Sequence, residues 1–368
     1  MKKLLALLPL PPPYSGPEIS SKILFSKLME NPNVKVINIS IKKDKFKRGL
    51  ITIDSIIKFT LIYLKYLFSL ITFNPYFVYH CITATKIGWM RDLIILLPAI
   101  FLRKKVVLHM RGGHFGIFFK ELKSGTLKSL IKLCIKSSYK IIVQSESLKE
   151  QFIDIVSENK IEVLPNTFEE MFLNINPKRE GNKILFLGLL TFAKGYNDLV
   201  KVAKEILSEF ENVEFIFVGE RMKTETNIFY NQLTKEKLKI EPYIELNHKN
   251  VKYIKNVYGE EKKRIYEVCD IFVLPSYSEG FSMAILEAMV SGLAVITTPV
   301  GANKDIIKNF ENGILIEPGN LTQLKNSIIL LLKDKNLREK LSKNARNFAI
   351  NNFHPEIVRK KLERIFEN

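Results

Sequence analysis

Two carboxylates separated by seven residues, Glu279 and Glu287, are the side chains best placed for chemistry in this sequence. Glu279 lies in a loop after the apolar run Ile271 to Leu274, and Glu287 lies in a helical pattern that Ser282 opens. Glu287 is the only ionisable residue between positions 281 and 298, so its helix should be buried. A buried carboxylate is costly unless it is hydrogen-bonded. Either the two hydroxyls of a ligand diol or an internal Lys, Arg or backbone partner could satisfy it.

The elements around these carboxylates are predicted to form a βαβ unit. Gly292 ends the helix, and Ala294 to Thr298 has the pattern of a second buried strand. The N-terminus of such a helix carries unpaired N–H groups and partial positive charge beside the carboxyl ends of the strands. The turn at residues 280–283 therefore suits a phosphate.

A second predicted turn between a strand and a helix contains a lysine. The strand pattern Lys183 to Leu187 leads into "GLLTFAKGYNDLV", in which Lys194 and Gly195 precede a helical pattern. A lysine and backbone N–H groups are again placed where phosphates bind.

Polar side chains follow two predicted strands of the N-terminal half, Phe77 to Ile82 and Lys105 to Met110. Sites in open α/β sheets lie at the carboxyl ends of strands. The candidates at these ends are His80, His109, Arg111 and His114. Arg111 could also hold an acceptor phosphate or carboxylate.

Length and composition indicate a globular chain of two domains. The 368 residues are 46% hydrophobic and 26% charged, enough for two separate cores. The formal net charge of +18 favours anionic partners such as nucleotide phosphates, anionic lipids or nucleic acid, although a Lys-rich composition alone could account for part of it. No zinc-finger or RNP-type motif is present, which disfavours nucleic acid. Cys81, Cys134 and Cys269 show neither metal-ligand spacing nor a paired framework, which fits a reducing, cytosolic setting.

Two apolar segments could be confused with membrane segments. The start, "MKKLLALLPLPPPYSG", has a short, Pro-broken apolar core and no small-residue cleavage site, so a buried strand is predicted rather than a signal peptide. Ile53 to Phe73 approaches transmembrane length, but Lys58, Lys65 and the nearby Pro75 argue against a span. A helix packed on the sheet is predicted. The alternative is an interfacial membrane helix, with the preceding basic run "KKDKFKRG" near anionic headgroups.

The stretch "SEGFSMAILE", preceded by "DIFVLPS" and followed by "EAMVSGLAVITTPVGANKDII", resembles the retaining glycosyltransferases of family 4. The resemblance is specific over about residues 181–320. It implies the α/β GT-B fold, in which two Rossmann-like doubly wound domains face each other across a cleft. The implied domains are an acceptor-binding domain at 1–167, a linker at 168–181 and a nucleotide-sugar-binding domain at 182–352. A C-terminal helix at 353–368 would cross back onto the first domain.

The resemblance also implies roles for particular residues. Glu279 would hold hydroxyls of the transferred sugar and act in catalysis, and Glu287 would hold the ribose. In the family a His before a Gly near a strand end lies by the reacting sugar. Here Arg111 precedes Gly112, so that His109, Arg111 and His114 all remain candidates for this role. The implied donor-binding residues are Gly16, Lys194, Glu279, Gly280, Phe281, Ser282, Met283 and Glu287.

Two of these positions carry alternatives. In the family a Gly-rich turn after the first strand lies against the donor diphosphate, and Gly16 matches it, but a plain strand-to-helix turn fits as well. The family also has an Arg five residues before the matching Lys, where this chain has Leu189. We expect another Arg to substitute; weaker stabilisation of the leaving group or lost activity are the alternatives.

The predicted function is retaining transfer of a sugar from a nucleotide-diphosphate sugar to a glycan or lipid-linked acceptor in cell-surface polysaccharide synthesis. No Asp-x-Asp element occurs, which argues against the metal-dependent single-domain glycosyltransferase fold. Lys194 and the N–H groups of residues 281–283 would carry the diphosphate charge instead, so no metal or other cofactor is expected. The expected location is the cytoplasm, with peripheral contact at the anionic inner face of the membrane. Two rivals are a non-catalytic homologue that binds nucleotide sugars or membranes and a nicotinamide-dependent oxidoreductase. The second is disfavoured because no Gly-x-Gly-x-x-Gly turn follows the first strand.

Overall fold

The computed structural model describes residues 1–41, 52–123, 125–221 and 228–367. The chain divides into two compact units. The first unit comprises Met1–Thr167 and Pro355–Asn368, and the second comprises Phe168–His354.

The first unit contains a six-stranded parallel sheet in the order β2-β1-β3-β4-β5-β6. The strands Leu4–Leu8, Phe77–Ile82 and Lys105–Met110 are mostly apolar and almost completely buried, as expected for strands covered on both faces. The strands are β1 (Leu4–Leu8), β2 (Val34–Asn38), β3 (Phe77–Ile82), β4 (Lys105–Met110), β5 (Lys140–Val143) and β6 (Ile161–Val163). The helices are α1 (Gly16–Phe25), α2 (Ile53–Thr72), α3 (Lys86–Phe101), α4 (Phe115–Glu121) and α5 (Thr126–Ser137).

The apolar start of the chain is a buried strand, as predicted. All five residues of β1 are buried, and β1 pairs with β2 on one side and β3 on the other.

Helix α2 packs beside β2 and α3, but less completely than predicted. Only Tyr66, Ser69 and Leu70 of its residues are buried, so it packs only through its C-terminal half. The Tyr66 hydroxyl donates to the carbonyl of Ile95 in α3, at 2.7 Å. Within the described residues, α2 is the one helix that by length and composition is long and apolar enough to cross a membrane.

The second unit contains another six-stranded parallel sheet, in the order β11-β8-β7-β12-β13-β14, and an antiparallel pair of β9 and β10. The strands are β7 (Lys183–Leu187), β8 (Glu214–Val218), β9 (Ile228–Tyr230), β10 (Lys237–Lys239), β11 (Val251–Ile254), β12 (Ile271–Leu274), β13 (Ala294–Thr297) and β14 (Ile314–Leu315). The helices are α6 (Tyr196–Glu209), α7 (Gly259–Val268), α8 (Met283–Val290), α9 (Asn303–Ile306), α10 (Leu321–Lys333) and α11 (Lys335–Phe353). The predicted βαβ unit is β12, α8 and β13, and both of its strands are fully buried.

Residues 168–181, predicted to be a linker, pack on the second unit. Phe168 and Phe172 are fully buried, and the Phe172 ring lies edge-on to Tyr266 at 5.4 Å. The polar composition of the segment conceals these two aromatic anchors.

The last helix, α12 (Pro355–Ile365), belongs to the first unit. Val358 and Leu362, together with the following Phe366, join the core formed by β1 and β3. The Phe366 ring lies 5.5 Å from that of Phe77.

Candidate functional site

Glu279 and Lys194 are in direct contact at the carboxyl edge of the second sheet. The Lys194 Nζ lies 2.6 Å from Oε2 of Glu279, and the Ser276 hydroxyl donates to Oε1 at 2.7 Å. The backbone N–H of Glu279 donates to Oε1 of Gln232 at 3.0 Å. The Glu279 side chain is 5% exposed and that of Lys194 is 28% exposed, so the lysine covers the carboxylate from the solvent side.

Two glycines allow the loops of this site to approach closely. A Cβ on Gly195 would lie 2.0 Å from the carbonyl oxygen of Pro275, and one on Gly301 would lie 2.3 Å from that of Glu279. Both glycines have positive φ, +68° and +55°, which other residues adopt only with strain. The loop after β12 is therefore held between the turn that carries Lys194 and the turn that follows β13.

Helix α8 starts next to Glu279, as the sequence predicts. Ser282 is its N-cap, and the Ser282 hydroxyl accepts from the N–H of Ile285. The carbonyl of Gly280 accepts from the N–H of Ala302 at 2.8 Å, which fixes the turn. The first N–H groups of any helix lack partners within it, so this turn presents donors and partial positive charge beside Lys194.

Glu287 is satisfied internally in this structure. Its carboxylate is 1% exposed and lies 2.6 Å from the Lys262 Nζ, and the Tyr266 hydroxyl donates to Oε2 at 3.0 Å. Of the two partners considered from the sequence, the internal lysine is present. Burial, and then the charge of Glu287, raises the pKa of Tyr266 well above its usual range, so this hydroxyl stays a donor.

Lys262 is a site residue that the sequence reasoning missed. It lies four residues before Tyr266 in α7, so both side chains leave the same face of the helix. The spacing of Lys262 and Tyr266 in the sequence could have indicated a shared helix face. The spacing alone could not show that this face packs against α8.

The backbone of Arg221 pairs with that of Leu190, the residue after Leu189. Leu190 and Arg221 form an isolated parallel bridge beyond the ends of β7 and β8, and the Leu190 N–H donates to the carbonyl of Glu220 at 3.0 Å. The Arg221 guanidinium carbon lies 3.9 Å from the ring centre of Tyr243. An arginine thus follows β8, the strand next to β7, and it is β7 that is followed by Leu189 in place of the family's arginine.

In the first unit, His109 and Arg111 meet at Tyr79. The Tyr79 hydroxyl lies 2.5 Å from Nδ1 of His109, and Arg111 donates to it at 3.4 Å. Arg111 also donates to the carbonyl of Pro17 at 2.7 Å, which brings it to the turn containing Gly16. His109 is 1% exposed. Burial, and then the charge of Arg111, holds the pKa of His109 well below its usual range, so this imidazole is neutral at neutral pH.

The other histidines of this group are placed differently. His80 is fully buried, and its Nε2 lies 3.1 Å from Oδ1 of Asp92. The expectation that His80 faces a ligand site is therefore wrong. Asp92 also accepts from the backbone N–H and hydroxyl of Thr83. His114 is the residue at the N-cap of α4 and makes no side-chain capping bond.

A buried polar network lies near the start of α1. The Ser20 hydroxyl and the Gln144 amide both donate to Oδ1 of Asn166, at 2.8 and 2.9 Å. Among the described residues, Gln144 Oε1 and His109 Nε2 are buried polar atoms without a partner. Sequence reasoning missed this network because its members are up to 146 positions apart.

No group of three or more His, Cys, Asp or Glu side chains that could hold a metal ion occurs in the described parts of the chain. All three cysteines are unpaired thiols.

Residues 167–348 match the model of the family described as glycosyl transferases group 1. The chain is 30% identical over 264 residues to the capsular polysaccharide biosynthesis glycosyltransferase CapM of Staphylococcus aureus, which covers 67% of this chain and 66% of CapM. It is 35% identical over 99 residues, 27% of this chain and 26% of the relative, to the N,N'-diacetylbacillosaminyl-diphospho-undecaprenol α-1,3-N-acetylgalactosaminyltransferase of Campylobacter jejuni. The chain thus spans about two thirds of the length of CapM and about a quarter of that of the second relative.

Solved structures show the fold. The crystal structure of Anabaena HepE in complex with UDP superposes over 100% of both chains with a TM-score of 0.67 at 15% identity. The prediction of two Rossmann-like α/β domains is confirmed. The chain therefore has the GT-B fold, and residues 167–348 match the family of glycosyl transferases group 1.

Proposed function

We propose that this protein is a retaining, metal-independent glycosyltransferase of family 4. It would move a sugar from a nucleotide-diphosphate sugar to a glycan or lipid-linked acceptor in cell-surface polysaccharide synthesis, in the cytoplasm. The observation that carries the proposal is the contact between Lys194 and Glu279 beside the N-terminus of α8. The names of CapM and the Campylobacter enzyme support the reaction and the acceptor class, and the UDP complex of HepE supports the donor class.

The donor site would work by exchange of partners. The diphosphate of the donor takes over Lys194 and the N–H groups of residues 281–283, so that its charge is neutralised without a metal. Glu279, released from the lysine, accepts hydrogen bonds from hydroxyls of the transferred sugar. Lys194 and Glu279 therefore each have a partner before donor binding, when they contact each other, and after it, when they contact the donor. The buried carboxylate of Glu279 is never left without a hydrogen-bond donor.

The reaction would proceed on one face of the sugar. The bond from C1 to the diphosphate oxygen breaks, a bond from C1 to the acceptor oxygen forms on the same face, and the acceptor proton passes to a diphosphate oxygen. Atoms and charges balance without an additional base. Arg111, placed beside the Gly16 turn, would hold a phosphate of the acceptor.

Glu287 would accept one ribose hydroxyl while it remains bonded to Lys262 and Tyr266. A carboxylate has about four lone-pair positions, and three donor contacts are present, so one further hydroxyl can be accepted without breaking the internal pair.

Arg221 would take the role of the arginine that the family has at the position of Leu189. Its backbone pairs with Leu190 in the segment that leads from β7 to Lys194, and a guanidinium that reached the departing diphosphate from there would stabilise its charge.

A thermal-shift panel tests the donor site, using UDP, GDP, ADP and their common sugar conjugates with NAD as the control ligand. A ligand at a hundred times its Kd should add about 2.7 kcal/mol to the free energy of unfolding. We expect one nucleotide to stabilise the wild type and Lys194→Ala to lose that stabilisation. The matched control is Lys201→Ala. Lys201 lies in α6, the helix that follows the Lys194 turn, and its side chain pairs with Glu241. No stabilisation by any nucleotide would contradict the proposal.

A second candidate is a non-catalytic nucleotide-sugar-binding homologue, which Leu189 favours. Release of nucleoside diphosphate from the donor that binds distinguishes the two. Binding with neither transfer nor slow hydrolysis would support the non-catalytic homologue.

A further inference from the structure

A cavity of about 580 Å³ lies in the second unit, at the opposite edge of its sheet from Glu279 and Lys194. Its lining includes Gly181, Asp270 and Gly292, which come shortly before β7, β12 and β13 in the chain. These strands are parallel neighbours, so their amino ends meet at one edge, whereas the loop of Glu279 follows β12 at the other. We call this space the amino-edge cavity. It is separate from the turns that would bind the donor.

The amino-edge cavity is lined by more cations than acids. Glu180 pairs with Lys183 at 2.9 Å, and Glu339 pairs with Lys335 at 3.7 Å. The third acid of the lining, Asp270, accepts two backbone N–H groups. Four cations of the lining have no carboxylate within ion-pair distance in the parts of the chain that the structure describes: Arg179, Arg338, Lys343 and Arg346. The cavity therefore holds an excess of positive charge.

The three arginines of the lining have a structural role, which does not use all of their donors. Arg179 and Arg346 donate to carbonyls at the C-terminal end of α8, and Arg338 donates to carbonyls at the end of α10. Cations commonly stabilise helix C-termini in this way. A guanidinium has five N–H donors, however, and the three bonds of Arg179 all come from its two amino groups. Among the described residues, its buried Nε has no partner.

Ser291 adds a second unsatisfied group to the lining. The residue is 2% exposed, and its hydroxyl has no hydrogen-bond partner within the described ranges. A buried hydroxyl without a partner is costly and therefore rare. The absence of a side chain at Gly181 keeps the space beside Arg338 open, since a Cβ there would lie 2.7 Å from Nη2. A bound anion would compensate the arginines and accept from these free donors.

Volume and charge indicate which anion fits the amino-edge cavity. A phosphate group carries a charge of about −1.5 to −2 at neutral pH and offers three acceptor oxygens, whereas a carboxylate carries a single charge. Guanidinium groups bind phosphate through paired N–H donors. The volume of about 580 Å³ lies in the range of pockets for small molecules, so it also has room for a small organic group attached to the phosphate.

We propose that the amino-edge cavity binds the phosphate group of a small anion through Arg179, Arg338 and Arg346, with the exposed Lys343 at its rim. This inference does not rest on glycosyl transfer, because the donor diphosphate would bind at the carboxyl edge of the sheet. Helix α8 lies between the two places: its N-terminus is at the donor turn, and its C-terminal carbonyls contact the arginines.

Isothermal titration calorimetry of the full chain tests the proposal with ribose 5-phosphate, inorganic phosphate and, as the uncharged control, ribose. We expect both phosphates to bind, more weakly at high salt, and ribose not to bind. Tighter binding of ribose 5-phosphate would identify an ester as the ligand, and equal binding would assign the site to free phosphate. The titration is repeated with Lys194→Ala, in which the affinity should be unchanged because the donor turn is at the other edge.

Two variants of the lining should weaken binding of the phosphates. Arg346→Gln removes a guanidinium and should weaken binding about tenfold. Lys343→Gln removes an exposed lysine and should weaken it about threefold. The matched control is Lys340→Gln, because Lys340 is an exposed lysine of the same helix, α11, that does not line the cavity. The control should bind as the wild type does.

The folding of each variant is checked by its Tm. Lys343 and Lys340 are both exposed, so these two variants should keep the Tm of the wild type, and their comparison decides the matter if Arg346→Gln does not fold. Wild type that binds neither phosphate at millimolar concentration would overturn the proposal, as would equal affinities of Lys343→Gln and Lys340→Gln. Loss of binding in Lys194→Ala would assign the phosphate to the donor turn instead.

Discussion

Glu287 shows how a single buried charge constrains its surroundings. Its carboxylate is held by Lys262 and Tyr266, both from α7, and the three side chains connect α7 to α8. Removing one partner of a buried pair costs more than the pair itself contributes, because the remaining charge is left without compensation. The lysine is therefore needed for stability whether or not a ribose binds next to it.

Lys262→Met should lower the free energy of unfolding by about 3 kcal/mol. Differential scanning calorimetry measures the loss.

The neighbouring Lys263→Met is the control for this prediction. Lys263 pairs with Glu260 at 3.7 Å, and the Glu260 side chain is 68% exposed, so the loss of this pair should cost less than about 1 kcal/mol. Adding Glu287→Gln to Lys262→Met should recover part of the loss. An equal loss of unfolding free energy in Lys262→Met and Lys263→Met would show that the buried pair of Lys262 and Glu287 does not stabilise the fold.

Arg221→Ala should slow release of nucleoside diphosphate about tenfold, which is about 1.4 kcal/mol of transition-state stabilisation, with a smaller change in donor affinity. Leu189→Arg in the Arg221→Ala background should restore part of the rate, since it returns a cation to the neighbouring strand end. Steady-state kinetics of the donor that binds measure both.

Arg264→Ala removes an exposed arginine of α7 and serves as the control for Arg221. A rate in Arg221→Ala equal to that of this control would mean that the arginine on the second strand takes no part.

At the scale of elements, glycines and caps position the site more than any long helix does. Gly195 and Gly301 let two turns reach the loop of Glu279, and Ser282 starts α8 immediately after it. The last element, α12, shows the same dependence on a few contacts. It comes from the far end of the sequence but contributes Val358 and Leu362 to the core of the first unit.

Leu362→Ala should destabilise the first unit by about 3 kcal/mol, because a buried leucine is removed and a cavity remains. Ile357→Ala on the same helix is the control, since Ile357 is 37% exposed and its truncation should cost far less. Calorimetric unfolding of the full chain measures the difference. Similar small losses in both variants would indicate that α12 is not anchored in that core.

At the scale of the whole molecule, the net charge of +18 is combined with an uneven surface. The apolar side chains of the two parallel sheets are covered, whereas those of α2 and α3 are exposed and flanked by lysines. Soluble domains normally bury such helix faces.

The sequence by itself determined the two α/β domains, the βαβ unit around α8 and the positions of Glu279, Lys194 and Ser282. These features depend on local patterns: apolar runs, caps, glycines and the spacing within one motif. Only the tertiary structure decided that Lys262 pairs with Glu287, that Arg221 lies beside Leu190, that His80 and His109 are buried, and that α2 exposes its apolar side. Such features depend on contacts between distant residues, as for Lys262 and Glu287, which are 25 positions apart, or on which face of a helix is covered. Periodicity within a segment shows that a face exists but not what lies against it.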